Sequence, residues 1–428
     1  MPVTPDALIH AEDLADFVAA SPSSYHAAAE TARRLEDAGF ERLREEDAWE
    51  VTPGGRYLVV RDGATIAWTL PADAVATTPA HIFGAHTDSP GFKLKPQPTT
   101  GSRGWLQAAV EVYGGPLLNS WLDRELRLAG RLALADGRVV LADTGALLRL
   151  PQLAVHLDRG VNNNGLALDK QAETQPVWGL GDASEADVLA ELAASADVSA
   201  ADIRGYDVVI ADSARGAVFG RDDAFFASGR LDDLASVHAG VVALERAGSA
   251  ESGPIAVLAA FDHEELGSNS RSGAAGPFLD DVLSRVYDAL DADSSQRRRA
   301  LASSWCLSSD VGHSVHPNYA QKHDPVVQPV LGSGPILKLN ANQRYATDAL
   351  GSAAWSAWCD TADVVTQEFV SNNNVPCGST IGPITATRLG IRTVDVGIPI
   401  LSMHSARELA GVSDLHDLTR VAGAFFAG

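Results

Sequence analysis

The sequence predicts an α/β protein: a mixed sheet with helices on both faces, interrupted by an inserted β-rich domain. Strand then helix alternates beyond Phe226, which is the pattern of a sheet covered on two sides. The first forty residues are helical in character, and the intervening block is a series of short β-like runs. The simplest architecture joins residues 1–94 and 226–428 into one discontinuous α/β domain and sets residues 95–225 apart as the insertion.

In chain order, Ser23 and Ser24 are candidate caps before YHAAAETARRLEDA, and Gly39 is a natural C-terminal stop. GGRYLVVRDGATIAWTL alternates around Asp62-Gly63, a hairpin signal. Within the insertion, WLQAAVEVY, RLALA and RVVLA read as strands, the last two around Asp136-Gly137, followed by an acidic, Ala-rich stretch near 182–202. After Phe226, LDDLASVHAGVVALERA places Leu234, Val237, Val241 and Leu244 on one helical face. Apolar strands are expected at 254–261 and 391–401. The polar segment DALDADSSQRRRAL is expected as an exposed loop or helix end, and Asn162–Asn164 and Asn372–Asn374 as loops or turns. No internal repeat is present.

At 428 residues and 46% hydrophobic content the chain can bury a large core. Lys plus Arg number 33 against 55 Asp plus Glu, a net charge of −22 that argues against nucleic acid or anionic membrane as partner. Cys306, Cys359 and Cys377 show no CxxC spacing, so neither a disulfide framework nor a thiolate zinc site is suggested. The N-terminal residues lack a basic segment followed by an apolar one, and no 18-residue apolar stretch occurs. A cytoplasmic protein is expected.

The chemistry-bearing signal begins with Glu264-Glu265, two adjacent carboxylates directly after an apolar run from Pro254 to Phe261. Where a strand frays into a loop, both side chains can turn toward one site. Most Glu-Glu pairs are solvated turns, so the pair gains meaning only from partners. Those are His86 and Asp88 in GAHTDSPGFKLKP, Asp232 in SGRLDDL, Asp310 in SSDVGHSVHPNY and His404 in SMHSARE. A lone histidine is more often a satisfied core residue, and a lone aspartate before a helix is usually a cap. Together they form an imidazole-and-carboxylate inventory suited to zinc or a similar divalent metal, expected near the carboxyl edge of one sheet. Asp232, Glu265 and Asp310 contribute −3 against +4 from two dications, and a bridging hydroxide would neutralise the remainder. One dication would leave a costly buried surplus of negative charge, so two are favoured. His86 and Asp88 stand at i and i+2 on an extended segment, so the Asp88 carboxylate can accept the free ring N–H of His86.

The segments AHTDSPGFKLKP, LPQLAVHLDR, RLDDL, DHEELGS, SDVGHSVHPNY, GPILKLNANQRYAT, PCGSTIGP and SMHSARE resemble those of the aspartyl aminopeptidase family, in order and over nearly the whole chain. The resemblance implies a zinc aminopeptidase-like fold with the inserted domain as dimerisation element. It implies that His86 and Asp310 hold one metal, Glu265 and His404 the other, and that Asp232 bridges them. Glu264 would be the general base and Asp88 the partner of His86. His313, Lys338 and Tyr345 would contact substrate, and His156 would reach a neighbouring subunit's site. The family forms dimers gathered into tetrahedral dodecamers. Asp233 departs from the pattern, where Asn is expected more often, and puts the electrostatics beside the bridging ligand in doubt.

On this reading the enzyme removes an N-terminal Asp or Glu from peptides, by attack of a metal-bridging hydroxide with Glu264 moving the proton. Lys338 is the candidate for reading the substrate carboxylate, although alternation with Ile336 and Asn340 also suits a surface lysine. Zinc is expected in both positions, with manganese or cobalt as substitutes. A related dinuclear aminopeptidase or N-acyl amino acid deacylase is the nearest alternative. A non-catalytic metal-binding assembly protein is a distant one, because a structural site has no use for a base beside a ligand.

Overall fold

The computed structural model describes residues 3–248 and 250–428. Nine strands form a mixed central sheet in the spatial order Glu41–Arg42, Arg56–Arg61, Ala64–Thr69, Ile255–Phe261, Ala80–His86, Trp305–Ser309, Arg392–Gly397, Ile336–Lys338, Gln367–Phe369. The four middle strands, from Ile255–Phe261 to Arg392–Gly397, run parallel. Parallel strands covered on both faces are apolar throughout, and every residue of Ile255–Phe261 and of Ala80–His86 is buried. Alternation divides them: Phe83 and Ala85 pack with helices Pro5–Ala20, Ser24–Asp37, Leu231–Ala247, Ala349–Ala362 and Val412–Ala427. Ala80 and Ile82 face the opposite core with Phe278–Ala289, Ser294–Ala302 and Ile381–Leu389. The fold is thus mixed α/β with helices on both faces.

Local signals explain the entry elements. Ser23 caps Ser24–Asp37, its hydroxyl accepting from the His26 N–H, and Gly39 takes φ +90 just beyond the helix. Arg56–Arg61 and Ala64–Thr69 pair antiparallel around Asp62-Gly63.

Seven further strands form a second sheet between Gly91 and Asp212. Ile203–Asp212 pairs with both Gly91–Ser102 and Glu125–Leu134, so this sheet curls back on itself around its own core of Phe92, Val110, Leu128, Leu132 and Val208. A third sheet of five short strands is new relative to the sequence reading: Ala217–Phe219, Phe225–Ser228, Glu408–Gly411, Pro399–Leu401 and Gly312–His313. Strands of two to four residues carry too little period to be read from sequence.

Three expectations are corrected. The helix Leu231–Ala247 is buried all round from Leu231 to Leu244, Ser236 and His238 included, because it is enclosed between the central sheet and Val412–Ala427. The single strand expected at 391–401 is two, Arg392–Gly397 in the central sheet and Pro399–Leu401 in the third. The backbone of Gly397 approaches Asp310 so closely that a Cβ there would meet the Asp310 carbonyl at 1.8 Å. The polar segment near 294 is largely the helix Ser294–Ala302, nucleated by a capping box between Asp293 and Gln296. Among the described residues no helix is long and apolar enough to cross a membrane.

Candidate active site

The ligand-type side chains converge where the parallel strands end. His86 closes Ala80–His86, Glu264 and Glu265 lie on the 3-10 turn Glu264–Leu266 after Ile255–Phe261, and Asp310 follows Trp305–Ser309. Asp232 and His404 come from elsewhere. They follow Phe225–Ser228 and Pro399–Leu401, so the expected single sheet edge is in fact a junction of two sheets.

Asp232 lies between the imidazoles, Oδ1 3.1 Å from His86 Nε2 and Oδ2 3.4 Å from His404 Nε2. Glu265 Oε2 is 3.5 Å from the same His404 nitrogen. Three sets of donor atoms lie within 4.8 Å of one another: Asp232, Glu265 and His404; His86, Asp233 and Asp310; His86, Glu264 and Glu265. Asp233 therefore stands beside His86 and Asp310, and its carboxylate also accepts the His86 backbone N–H at 3.3 Å. His86 Nε2, Asp232 Oδ1 and Glu265 Oε1 are buried without a hydrogen-bond partner among the described residues. The first two approach each other without hydrogen-bond alignment, so their lone pairs face a common space. Such a donor set fits a cation.

Both imidazoles are held the same way. His86 donates Nδ1–H to the Asp88 carbonyl at 3.0 Å, and His404 donates Nδ1–H to the Gly115 carbonyl at 3.0 Å, leaving each Nε2 as ligand atom. The expected contact between the His86 ring and the Asp88 carboxylate is thus corrected: the ring N–H goes to the Asp88 backbone, with the carboxylate 3.5 Å away. That carboxylate instead accepts the backbone N–H groups of Glu264 at 2.9 Å and Glu265 at 3.2 Å, fixing the turn that carries both. It also accepts from the Tyr113 hydroxyl at 2.8 Å.

Two functional residues escaped the sequence reading. Tyr113 is one, contributed by the second sheet. Glu408 is the other, a buried carboxylate that accepts the Asp232 N–H at 3.0 Å and the His404 N–H at 2.7 Å, strapping together two ligand-bearing segments. Its only signal was a glutamate four residues after His404 in an otherwise apolar strand.

Electrostatics follow from burial. Desolvation raises Glu264 to about 7, with His86 opposing and Asp310 and Asp232 adding to it, and raises Asp310 to about 6 against the pull of Lys338. Glu408 reaches about 8 by burial and the nearby Asp232, and Glu265 and Asp233 are pushed well above the carboxylate range for the same reasons. Burial would raise Asp232, yet the two imidazoles beside it, His404 and His86, hold it low. Burial would lower His404, yet Asp232 and Glu265 raise it to about 10. The surplus negative charge calls for cations at this point.

A cavity of about 580 Å³ opens from the cluster. Glu264, Glu265, Asp310 and His404 line one side, and His313, Lys338 and Tyr345 another. Lys338 is 2% exposed, not a surface lysine, because its strand lies inside the sheet between Arg392–Gly397 and Gln367–Phe369. Its Nζ donates to the Val311 carbonyl at 2.9 Å, lies 3.9 Å from Asp310 Oδ1 and sits 5.4 Å from the Tyr345 ring. Tyr345 is buried against Phe369. His313 is open to the cavity, and enclosure by the surrounding protein, Lys338 and His323 lower it to about 4, keeping the ring neutral. A second cavity, about 50 Å³, lies behind Asp88 and is too small for a peptide. His156 does not join the site: it is exposed on an irregular segment and is not part of the cavity wall.

Residues 17–426 match the family profile "Aminopeptidase I zinc metalloprotease (M18)". The chain belongs to the M18 family. The "Probable M18 family aminopeptidase 2" of Streptomyces coelicolor is 54% identical over 420 residues, covering 97% of each chain. The protein of the same name from Pseudomonas aeruginosa is 44% identical over 426 residues, again covering 97% of each. Among solved structures, a chain in the cryo-EM structure of the Ape4 and Nbr1 complex superposes with a TM-score of 0.95 at 34% identity, covering 100% of this chain and 88% of that one. The S. cerevisiae mApe1 dodecamer superposes at 0.85 with 28% identity, over 97% of this chain and 96% of that one. This M18 protein is therefore a zinc metallo-aminopeptidase, and the cluster around Asp232 is suited to hold its metal.

Proposed function

We propose that this M18 aminopeptidase removes acidic N-terminal residues, Asp or Glu, from peptides. The observation that carries the reading is Lys338, an ammonium buried in the wall of the same cavity as the metal-ligand cluster, in a chain of net charge −22. A lysine in that position complements a substrate carboxylate, with the Tyr345 hydroxyl and the neutral His313 ring as further hydrogen-bond groups. His86 and Asp310 would hold one zinc ion and Glu265 and His404 a second, with Asp232 between them. Asp233, which reaches the first position, is a further candidate ligand there.

Bound zinc supplies Lewis acidity and makes water acidic enough to attack at neutral pH. Glu264 takes the proton of the attacking water and returns it to the leaving amine, a role suited to a carboxylate raised to about 7. Asp88 holds Glu264 in place through its backbone N–H. Carboxylates of the cluster anchor the substrate's free α-amine, restricting cleavage to chain ends.

The wider assignments follow from the same reading. The second sheet, from Gly91 to Asp212, would form the dimerisation domain and the remainder the catalytic domain, a shift from the expected 95–225 because Gly91–Ser102 is one strand and Ala217–Phe219 pairs in the third sheet. Dimers would gather into a dodecamer like that of S. cerevisiae mApe1. His156, exposed within its own subunit, would serve a neighbouring site. A cytoplasmic location fits an acidic chain with three unpaired cysteines.

The test is a panel of aminoacyl anilides on the wild type and Lys338→Met. The wild type should favour Asp and Glu over Ala, and the variant should lose roughly tenfold or more in kcat/KM on the acidic substrates while changing little on Ala. Equal losses would exclude a charge-reading role, and turnover of acyl amino acids instead would favour a deacylase.

A further inference from the structure

We propose that the groove beside the metal cavity is the subsite for the substrate chain beyond the scissile bond, with Arg344 as receptor for a peptide carboxylate. The inference rests on the aminopeptidase reading above. An N-terminal exopeptidase has no substrate upstream of the cleaved residue, so a groove adjoining its cavity is placed for the downstream chain.

The groove, of about 410 Å³, lies between residues 340–344 and 371–377. It adjoins the metal cavity, with Ser371, Asn372, Val375 and Pro376 lining both. Tyr345 and Arg344 divide the two spaces: Tyr345 faces the metal cavity, with its hydroxyl paired to the Cys377 thiol, and its neighbour Arg344 lines the groove.

The chemistry of the groove differs from that of the surface around it. The chain carries 55 acidic residues, yet none lines this groove among the described residues. Arg344 is its one cation among the described residues. The guanidinium donates Nε to the Gly378 carbonyl at 3.1 Å, which fixes the side chain, and its terminal nitrogens make no ion pair or hydrogen bond among the described residues. A planar guanidinium so held presents a pre-oriented fork to a carboxylate.

The amides around it divide into two jobs. Asn372 donates to the His323 carbonyl at 2.9 Å and accepts from the Asn374 N–H at 2.9 Å, and Asn340 accepts from the Asn342 N–H at 2.9 Å, so these two shape the walls. The side chains of Asn342, Asn373 and Asn374 are exposed in the groove and have no hydrogen-bond partner among the described residues, which leaves donor and acceptor to complement a peptide backbone.

The carboxylate could be the C-terminus of a short peptide or an acidic side chain further along a longer one. Both are tested with zinc-loaded full-length enzyme and peptides Asp-(Ala)n of increasing length, each with a free or an amidated C-terminus, plus amidated peptides carrying one Glu at successive downstream positions. At one length the free acid should exceed the amide by about tenfold in kcat/KM, chiefly through KM. If the source is a side chain, one Glu position in the amidated series produces that gain instead. Arg344→Gln should bring the ratio to about one, Arg344→Lys should retain part of it, and Arg344→Glu should invert it. A wild-type ratio near one at every length and every Glu position overturns the proposal, as does a ratio unchanged in Arg344→Gln. Zinc content and sedimentation show whether a variant has kept its fold. Turnover of aminoacyl anilides with flat peptide ratios sinks the subsite alone, whereas no turnover of any aminoacyl substrate sinks the aminopeptidase reading with it.

Discussion

The cluster around Asp232 and the segment from Leu153 to Leu157 satisfy their chemistry in opposite ways. In the first, ligand-type residues from five chain segments meet in a buried space and are oriented by contacts within the chain: Asp88 holds the Glu264-Glu265 turn, Glu408 holds Asp232 and His404, and backbone carbonyls hold both imidazoles. In the second, Leu153, Val155 and Leu157 are 58%, 49% and 75% exposed around His156. A contiguous apolar stretch in water is costly and marks an interaction surface. One region is ordered by contacts within its own chain, while the other would be covered by a second.

The largest effects should come from the two adjacent glutamates. Glu264→Gln should keep zinc and lose at least about a hundredfold in kcat, whereas Glu265→Gln should lose the metal itself. Zinc analysis with anilide turnover separates them, and activity above about a tenth in Glu264→Gln rejects it as base. Next, Glu408→Gln should weaken zinc binding by roughly 10–100-fold, since a carboxamide cannot accept from both the Asp232 and His404 backbones. Unchanged affinity in a chelator titration would mean that the ligands hold themselves.

Leu157→Asp probes the other half of the comparison. It should shift the protein to smaller species in sedimentation with its circular dichroism intact, and turnover should fall with assembly if His156 serves a neighbour. A fully active monomer would remove both ideas.

The smallest effect lies outside both regions. Burial pushes Asp414 up to about 7, although the Gly332 and Gly334 N–H groups oppose this by hydrogen bonding its carboxylate. Its folded pKa exceeds the unfolded value near 4, so the folded state holds the proton more tightly between these limits. Stability is then lost as pH rises through about 7, at up to roughly 1.4 kcal/mol per pH unit within the window. Asp414→Asn should flatten that slope between pH 4.5 and 7.5 in urea denaturation. An unchanged slope would show that Asp414 ionises freely in the fold.

Much of the site was legible because its residues sit in short, chemically unusual segments. Glu264-Glu265 after an apolar strand, and His86 two residues before Asp88, needed no tertiary information to be noticed. Their partners' exact contacts were another matter: spacing placed Asp88 near His86 but could not say that the carboxylate turns toward Glu264 and Glu265. Glu408 and Tyr113 stayed hidden because their roles depend on neighbours 176 and 25 residues away in sequence.

The sequence by itself determined the strand-and-helix alternation, the apolar strands, the caps and the set of metal-ligating residue types. These are local properties, written in periodicity and side-chain chemistry. Only the tertiary structure decided that Lys338 is buried, that Pro399–Leu401 leaves the central sheet, and that His156 stands apart from its own cavity. Each of those depends on which strand lies beside which, and strand adjacency is a long-range outcome of packing that no short window of residues contains.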